Sequence, residues 1–352
     1  MLDQATTIRP GEELPLGDLQ NYLRQAIDGF DTIHGIRQFP GGYSNLTYLV
    51  QTSLGEYVLR RPPFGANIRS AHDMGREYRV LSLLQPVYKK IPEPILYCED
   101  EEVLGAPFYL MERVEGIILR AKPPKGVSLT PELMRGVSKA AVDNLVQLHS
   151  LDIEATGLAQ LGKPEGYIER QIHGWIKRYY KAETDKIESM NEVAEWMQQH
   201  LPEPQTPALI HNDYKYDNLV LHPENLTDIR AVLDGEMTTV AAPLMDLGTS
   251  LGYWSEPEDV KNIPLAASNL TYLPGNFSRK EVVQYYGEQS GRDVSNVLFY
   301  YVYGAFKIAV IVQQIYARYK KGLTQDARFA NLIQAVQYFG NTARKAIERD
   351  DF

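Results

Sequence analysis

Cysteine is nearly missing from this chain, with Cys98 the only one. A disulfide within the chain and a metal cluster built on cysteines are therefore both excluded, and the usage suits a reducing compartment. In "PILYCEDEE" that cysteine reads as a small strand residue and not as a nucleophile. Positive charge is also short: 36 Lys and Arg stand against 45 Asp and Glu, a formal net charge of −9. A nucleic-acid binder of this size is more often basic, so no nucleic-acid partner is expected. The opening residues "MLDQATTIRPGEELPLG" hold no apolar run of the secretory kind, which points to a cytoplasmic location. Internal repeats and low-complexity tracts are absent. One long apolar stretch, "NVLFYYVYGAFKIAVIVQQIY" at 296–316, carries Gly304 and Lys307 mid-span and closes on glutamines. It reads as a buried core helix in preference to a bilayer span, and no membrane partner is expected.

What the chain does have is a globular balance. Its 352 residues are 44% hydrophobic and 23% charged, enough for a sizeable core and, by length, for two domains or one two-lobed unit. Residues 14–27 read as an opening amphipathic helix. From 33 to 63, apolar and polar residues alternate around two turns, "PGG" and "SLGE", which predicts strands joined by tight turns. "SAHDMGREYRVLSLLQPV" has helical spacing, with Met74, Tyr78, Leu81 and Leu84 on one face. Two more strands follow, with the acidic segment Glu99–Glu102 as a solvated hairpin tip. Beyond the proline- and lysine-rich loop at 120–129, Thr130 caps a helix opened by Pro131 and Glu132, and the chain turns mainly helical. A β-rich insert at 208–237 interrupts it. This order predicts an α+β architecture of two lobes, a small sheet-plus-helix lobe over 1–113 and a large mainly helical lobe over 114–352. Such a pair of lobes predicts a cleft between them.

The densest chemistry lies in "HNDYKYDN" at 211–218. Asp213 and Asn218 sit five positions apart in a loop that runs into the strand "LVLH". "HPEN" then turns the chain, and "IRAVLD" returns to end on Asp234. A hairpin of this kind brings Asp213, Asn218 and Asp234 to one end. Three oxygen-bearing side chains suit magnesium and phosphate better than zinc. The natural division gives Asp213 the proton of an attacking hydroxyl, with Asn218 and Asp234 as metal ligands. The spacing matches the catalytic loop and metal-binding aspartate of protein kinases.

"LIHNDYKYDNLVLHP" followed by "AVLDGEMTTVAAPLMDLG" resembles the aminoglycoside phosphotransferase and choline-kinase-like family. It looks most like the branch of kinase-like domains associated with acyl-CoA dehydrogenases. The likeness runs over most of the chain, from "FPGGYSNLTYLV" to "FYYVYGAFKIAVIVQQIYARY". The resemblance implies a two-lobed protein-kinase-like fold with ATP and Mg2+ at the lobe junction. In "FPGGYSN", Gly41 and Gly42 allow close backbone approach to phosphates, and Ser44 and Asn45 offer donors. Arg60 of "YVLR" stands where the kinase pattern has lysine, keeps a permanent charge and can grip phosphate in two places. Glu77 of "REYRVL" is its implied partner. "LMERVEG" is the implied lobe connector, where Met111 packs against adenine and the backbone near Glu112 and Val114 bonds to it. Asp234-Gly235-Glu236 replaces the kinase D-F-G, and Glu236 reaches toward a metal ion or the substrate. Asp246 and His211 are implied braces of the catalytic loop. Lys307, a cation in an apolar helix, either binds an anionic group of the acceptor, or pairs with an internal acid or snorkels. Trp254 and Tyr300, Tyr301 and Tyr303 either fill the core or line the acceptor pocket.

The expected activity is phosphoryl transfer from ATP, with magnesium, to the hydroxyl of a small molecule, a hydroxy acid or hydroxyacyl thioester being one candidate. The alternative is a catalytically weak, pseudokinase-like nucleotide-binding scaffold, motivated by Arg60 and the D-G-E triplet.

Overall fold

Alternation along the first hundred residues becomes a sheet in the computed structural model, which describes residues 4–40, 45–64, 73–263, 269–324 and 326–352. Helix α1 (Leu16–Ala26) leads into strands β1 (Ile33–Gln38), β2 (Leu46–Thr52) and β3 (Gly55–Arg61). At the β2–β3 turn, Thr52 Oγ1 accepts from the N–H of Leu54 at 3.1 Å and donates to the carbonyl of Gly55 at 2.8 Å. Helix α2 (Met74–Leu84) is capped by Asp73, whose side chain accepts from the N–H of Arg76. Strand β4 (Pro94–Cys98), helix α3 (Glu101–Leu104) and strand β5 (Phe108–Glu112) complete the region. All pairings are antiparallel, in the order β1-β2-β3-β5-β4. The acidic segment expected as a hairpin tip is instead the short helix α3. Asp100 caps it by accepting from the N–H of Glu102, and it packs against α1. On α2 the buried face is Met74, Glu77, Val80, Leu81 and Leu84, while Tyr78 is half-buried and stacks on Tyr97.

Strand parity sends side chains to opposite faces of this sheet. Tyr48, Val50, Leu59, Phe108 and Leu110 join Leu19 and Leu23 of α1 in one apolar cluster. The register places Thr47, Arg60 and Tyr109 side by side across β2, β3 and β5, with Leu49, Val58 and Met111 as the next row. The phosphate-binding candidate therefore lies on the sheet face opposite the α1 cluster.

The remainder is mainly helical: α4 (Pro131–His149), α5 (Tyr167–Ala182), α6 (Glu188–Gln199), then strands β6 (Ala208–Ile210), β7 (Leu219–His222), β8 (Asn225–Val232) and β9 (Thr239–Ala241). Helices α7 (Pro243–Tyr253), α8 (Pro257–Asn262), α9 (Arg279–Ser290), α10 (Val297–Lys320) and α11 (Leu332–Arg349) follow. β6 pairs with β9, and β7 with β8. Thr130 caps α4 by accepting from Leu133 N–H, with Pro131 opening the helix. By length and composition α10 is apolar enough to cross a membrane, yet 78% of its most apolar stretch is buried inside the protein. It packs against α5, α7 and α11 as a core helix.

Two compact units emerge. One comprises Met1–Ile117, Val220–Asn225 and Ile229–Glu236, and the other Ile118–Leu219, Leu226–Asp228 and Met237–Phe352. The division expected after residue 113 thus comes after Ile117, and most of the β7–β8 hairpin groups with the first unit. The hairpin's anchors there are the bridge between Leu221 and Ile117, Val232 N–H on the carbonyl of Lys90, and Arg230 on the carbonyl of Glu115.

Candidate active site

In the first unit the site is built around Arg60. Its guanidinium pairs with Glu77 at 3.1 Å and, through both Nη atoms, with Asp234 Oδ1 at 3.2–3.3 Å. Burial works against the charge of Arg60, but Glu77, Tyr109, Asp234 and Glu236 outweigh it and hold its pKa well above the ordinary value. Arg60 is a fixed cation. Burial pushes the Glu77 carboxyl up, with Arg60 and the Tyr109 hydroxyl opposing. Glu77, Asp234 and Glu236 each offer one oxygen, and those oxygens lie within 4.8 Å of one another. Asn45 donates to Glu236 at 3.1 Å. Asp234 carries φ +67°, in the left-handed region that a non-glycine residue occupies only under constraint.

Met111 is buried in β5 opposite Val58. The N–H of Glu112 is committed to the carbonyl of Glu93 at 2.8 Å, so only other backbone groups of the connector are available to an adenine. Val114 is half-buried just beyond the strand. Gly41, Gly42 and Ser44, expected at the phosphates, lie outside the described residues.

In the second unit the loop after β6 alternates. Tyr214 and Tyr216 are buried, while Asp213, Lys215 and Asp217 are partly exposed. Tyr214 hydroxyl donates to the carbonyl of Ala141 at 2.7 Å, and Tyr216 hydroxyl to Asn276 at 2.9 Å, tying the loop down from beneath. Asp246 of α7 is fully buried and accepts from the N–H groups of His211 and Asn212 at 2.6 and 2.8 Å. His149 Nε2 lies 3.1 Å from the same carboxylate, and its Nδ1 lies 2.8 Å from Tyr286 hydroxyl. Burial alone would raise the Asp246 pKa, but His149 and the His211 contacts reverse the direction and keep it an anion. His211 Nδ1 accepts from the N–H of Asp213 at 3.2 Å.

Asp213 stands free of the core. Lys215 Nζ contacts both its oxygens at 2.8 and 3.0 Å, and Asn218 Nδ2 donates to its carbonyl and to Oδ2 at 2.8 and 3.0 Å. The ammonium of Lys215 also lies 4.5 Å from the ring of Tyr253. With Nδ2 engaged, the amide oxygen of Asn218 is its remaining ligand atom. Trp254 is core: it is buried, donates to the carbonyl of Phe277 at 2.8 Å and meets Tyr216 edge-on. Tyr300, Tyr301 and Tyr303 are buried as well. Lys307 Nζ donates to the carbonyl of Asn212 at 2.7 Å, which gives it a backbone partner in place of either partner expected.

Sequence reasoning passed over Lys215 and Tyr109. The alternation of buried tyrosines with Asp213 and Lys215 was the available signal for the first. The β5 pattern, which sets Tyr109 on the Met111 face, was the signal for the second.

A five-stranded antiparallel sheet with one helix on the Arg60 side, then a helical unit holding an H-x-D-x-x-x-x-N loop, defines a protein-kinase-like α+β fold. The chain belongs to the phosphotransferase enzyme family, whose profile matches residues 35–278. A candidate aminoglycoside phosphotransferase from Ralstonia eutropha is 29% identical, with a TM-score of 0.78 over 96% of this chain and 99% of its own. Choline kinase from Cryptosporidium parvum, at 12% identity and a TM-score of 0.61 over 94% of this chain and 96% of its own, shares the fold.

 Among curated proteins, human acyl-CoA dehydrogenase family member 11 is 34% identical over 344 residues, which is 95% of this chain and 43% of that protein. Mouse acyl-CoA dehydrogenase family member 10 is 33% identical over 93% of this chain and 30% of its own length. The chain thus spans less than half the length of these curated relatives.

Proposed function

We propose that the protein is an ATP- and magnesium-dependent phosphotransferase that acts on the hydroxyl of a small molecule. The observation that carries this reading is Asp213: a carboxylate in a loop braced by Asp246, oriented by Asn218 and charge-balanced by Lys215. A group so placed takes the proton of an attacking hydroxyl, a contribution of roughly 10²–10⁴-fold in rate. Arg60, locked against Glu77, supplies the permanent cation for nucleotide phosphates. The donor set of the first unit fits a hard cation: Asp234, Glu236 and Glu77 offer clustered carboxylate oxygens. When bound, magnesium adds positive charge against the phosphate oxygens. Family membership supports the phosphotransferase class, and a structural neighbour of the same fold is described in complex with ADP and spectinomycin.

The acceptor class to test first is a hydroxy acid or hydroxyacyl thioester, chosen because the curated relatives bear acyl-CoA dehydrogenase names. Lys307 gives that choice no help, since its ammonium is engaged by Asn212. The experiment is a transfer assay with γ-labelled ATP over a panel of hydroxy acids, hydroxyacyl thioesters, choline-like alcohols and aminoglycosides. Wild-type protein is expected to label one class, and Asp213→Asn to lose about 10³-fold of that rate. Labelling of polycationic alcohols alone would reject the hydroxy-acid choice, and equal rates in Asp213→Asn would reject the base assignment.

A further inference from the structure

The Asn212–Asp213 peptide is held at both ends. Its carbonyl oxygen accepts from Lys307 Nζ at 2.7 Å, and its N–H donates to His211 Nδ1 at 3.2 Å. Asn212 has φ +67°, a left-handed conformation that persists in a non-glycine residue when the surroundings impose it. Those surroundings are explicit. Its N–H goes to Asp246 at 2.8 Å, and its side-chain amide goes to Tyr167 hydroxyl at 3.0 Å and the carbonyl of Met237 at 2.9 Å. Lys307, from α10, is the charged member of this clamp.

A buried ammonium is costly, and Lys307 is only 1% exposed. Burial pushes its pKa down to about 8, with Asp213 and Asp246 opposing and Lys215 and Arg178 adding to the fall. The ring of Trp175 lies 5.7 Å from Nζ. No carboxylate among the described residues lies within ion-pair distance of it. A methionine would fill the same slot without that cost, so packing does not account for a lysine here.

We propose that Lys307 is a positioning residue for phosphoryl transfer: by holding the Asn212 carbonyl it fixes the peptide plane from which Asp213 projects, and so aims the carboxylate. This rests on the reading of Asp213 as the base. Lys307 touches neither nucleotide nor acceptor on this account, so its loss acts on turnover and not on binding.

The test uses the full chain with Lys307→Met, and Lys307→Gln as a second variant should the first fail to fold. The expected result is a fall of about 10²-fold in kcat, the scale of an ångström-sized misplacement, with the KM for ATP unchanged within about twofold. A crystal structure of the variant reads the same claim without turnover. It is expected to show the Asn212–Asp213 peptide turned and the Asp213 contacts with Lys215 and Asn218 broken. An unmoved peptide overturns the proposal, even if no acceptor is ever found and the phosphotransferase reading itself fails. Wild-type kcat in the variant overturns it as well.

Discussion

Arg60 and Glu77 show how tightly single residues are bound to one another here. Both are buried, and removing Arg60 leaves the Glu77 carboxyl without its ion-pair partner. Arg60→Met is expected to cost about 3–5 kcal/mol in urea unfolding, and Arg60→Met with Glu77→Gln to recover most of it. Equal losses in the single and double variants would contradict the pairing. Lys307 gives a second prediction, with a definite sign. Its folded pKa is lowered from 10.5 to about 8, so the unfolded chain binds more protons between those values. Stability should therefore rise with pH from about 8 to 10.5, by on the order of 3 kcal/mol, in wild type relative to Lys307→Met. Asp213, Asp246, Lys215 and Arg178 face the same ammonium and are common to both proteins. Parallel stability curves would show that Lys307 stays charged when buried. The loop and hairpin that carry Asp213, Asn218 and Asp234 were legible because a fixed spacing of polar residues around two short strands signals them. The partner of Lys307 was not, since a backbone carbonyl ninety-five residues away leaves no mark in sequence.

At the scale of elements, the loop is held by two helices whose spacing glycine sets. Asp246 belongs to α7 and Lys307 to α10, and the helices cross at Gly248 and Gly304. A Cβ at Gly248 would run into the carbonyl of Tyr300, and one at Gly304 into the carbonyl of Gly248. Backbones in such contact cannot yield as a flexible side chain would. Gly304→Ala is expected to destabilise by about 1–3 kcal/mol and to lower kcat more than the KM for ATP, because Lys307 lies one turn along the same helix. A stable variant with unchanged kcat would contradict the coupling. The long apolar run was legible as this helix, as were the strands and the "SLGE" turn between β2 and β3. The short helix α3 was not, because an acidic run between strands reads equally as a hairpin tip until Asp100 is seen capping Glu102. Nor was the grouping of the β7–β8 hairpin, which depends on contacts with residues near 90 and 117.

For the whole molecule, the order of elements and the catalytic-loop spacing carried the fold class, since both follow from local pattern. The acceptor is a different matter: it is chosen by the shape and charge of a pocket assembled from distant segments, which no short motif encodes. The central claim, that this chain binds nucleotide through magnesium and the Asp234 group, does not depend on the acceptor. Calorimetric titration of ATP, with and without magnesium, on wild type and on Asp234→Ala tests it most directly. Magnesium-dependent binding by wild type is expected, weakened at least about tenfold by the substitution, which corresponds to ~1.4 kcal/mol. Failure of folded wild-type protein to bind ATP in the presence of magnesium would contradict it.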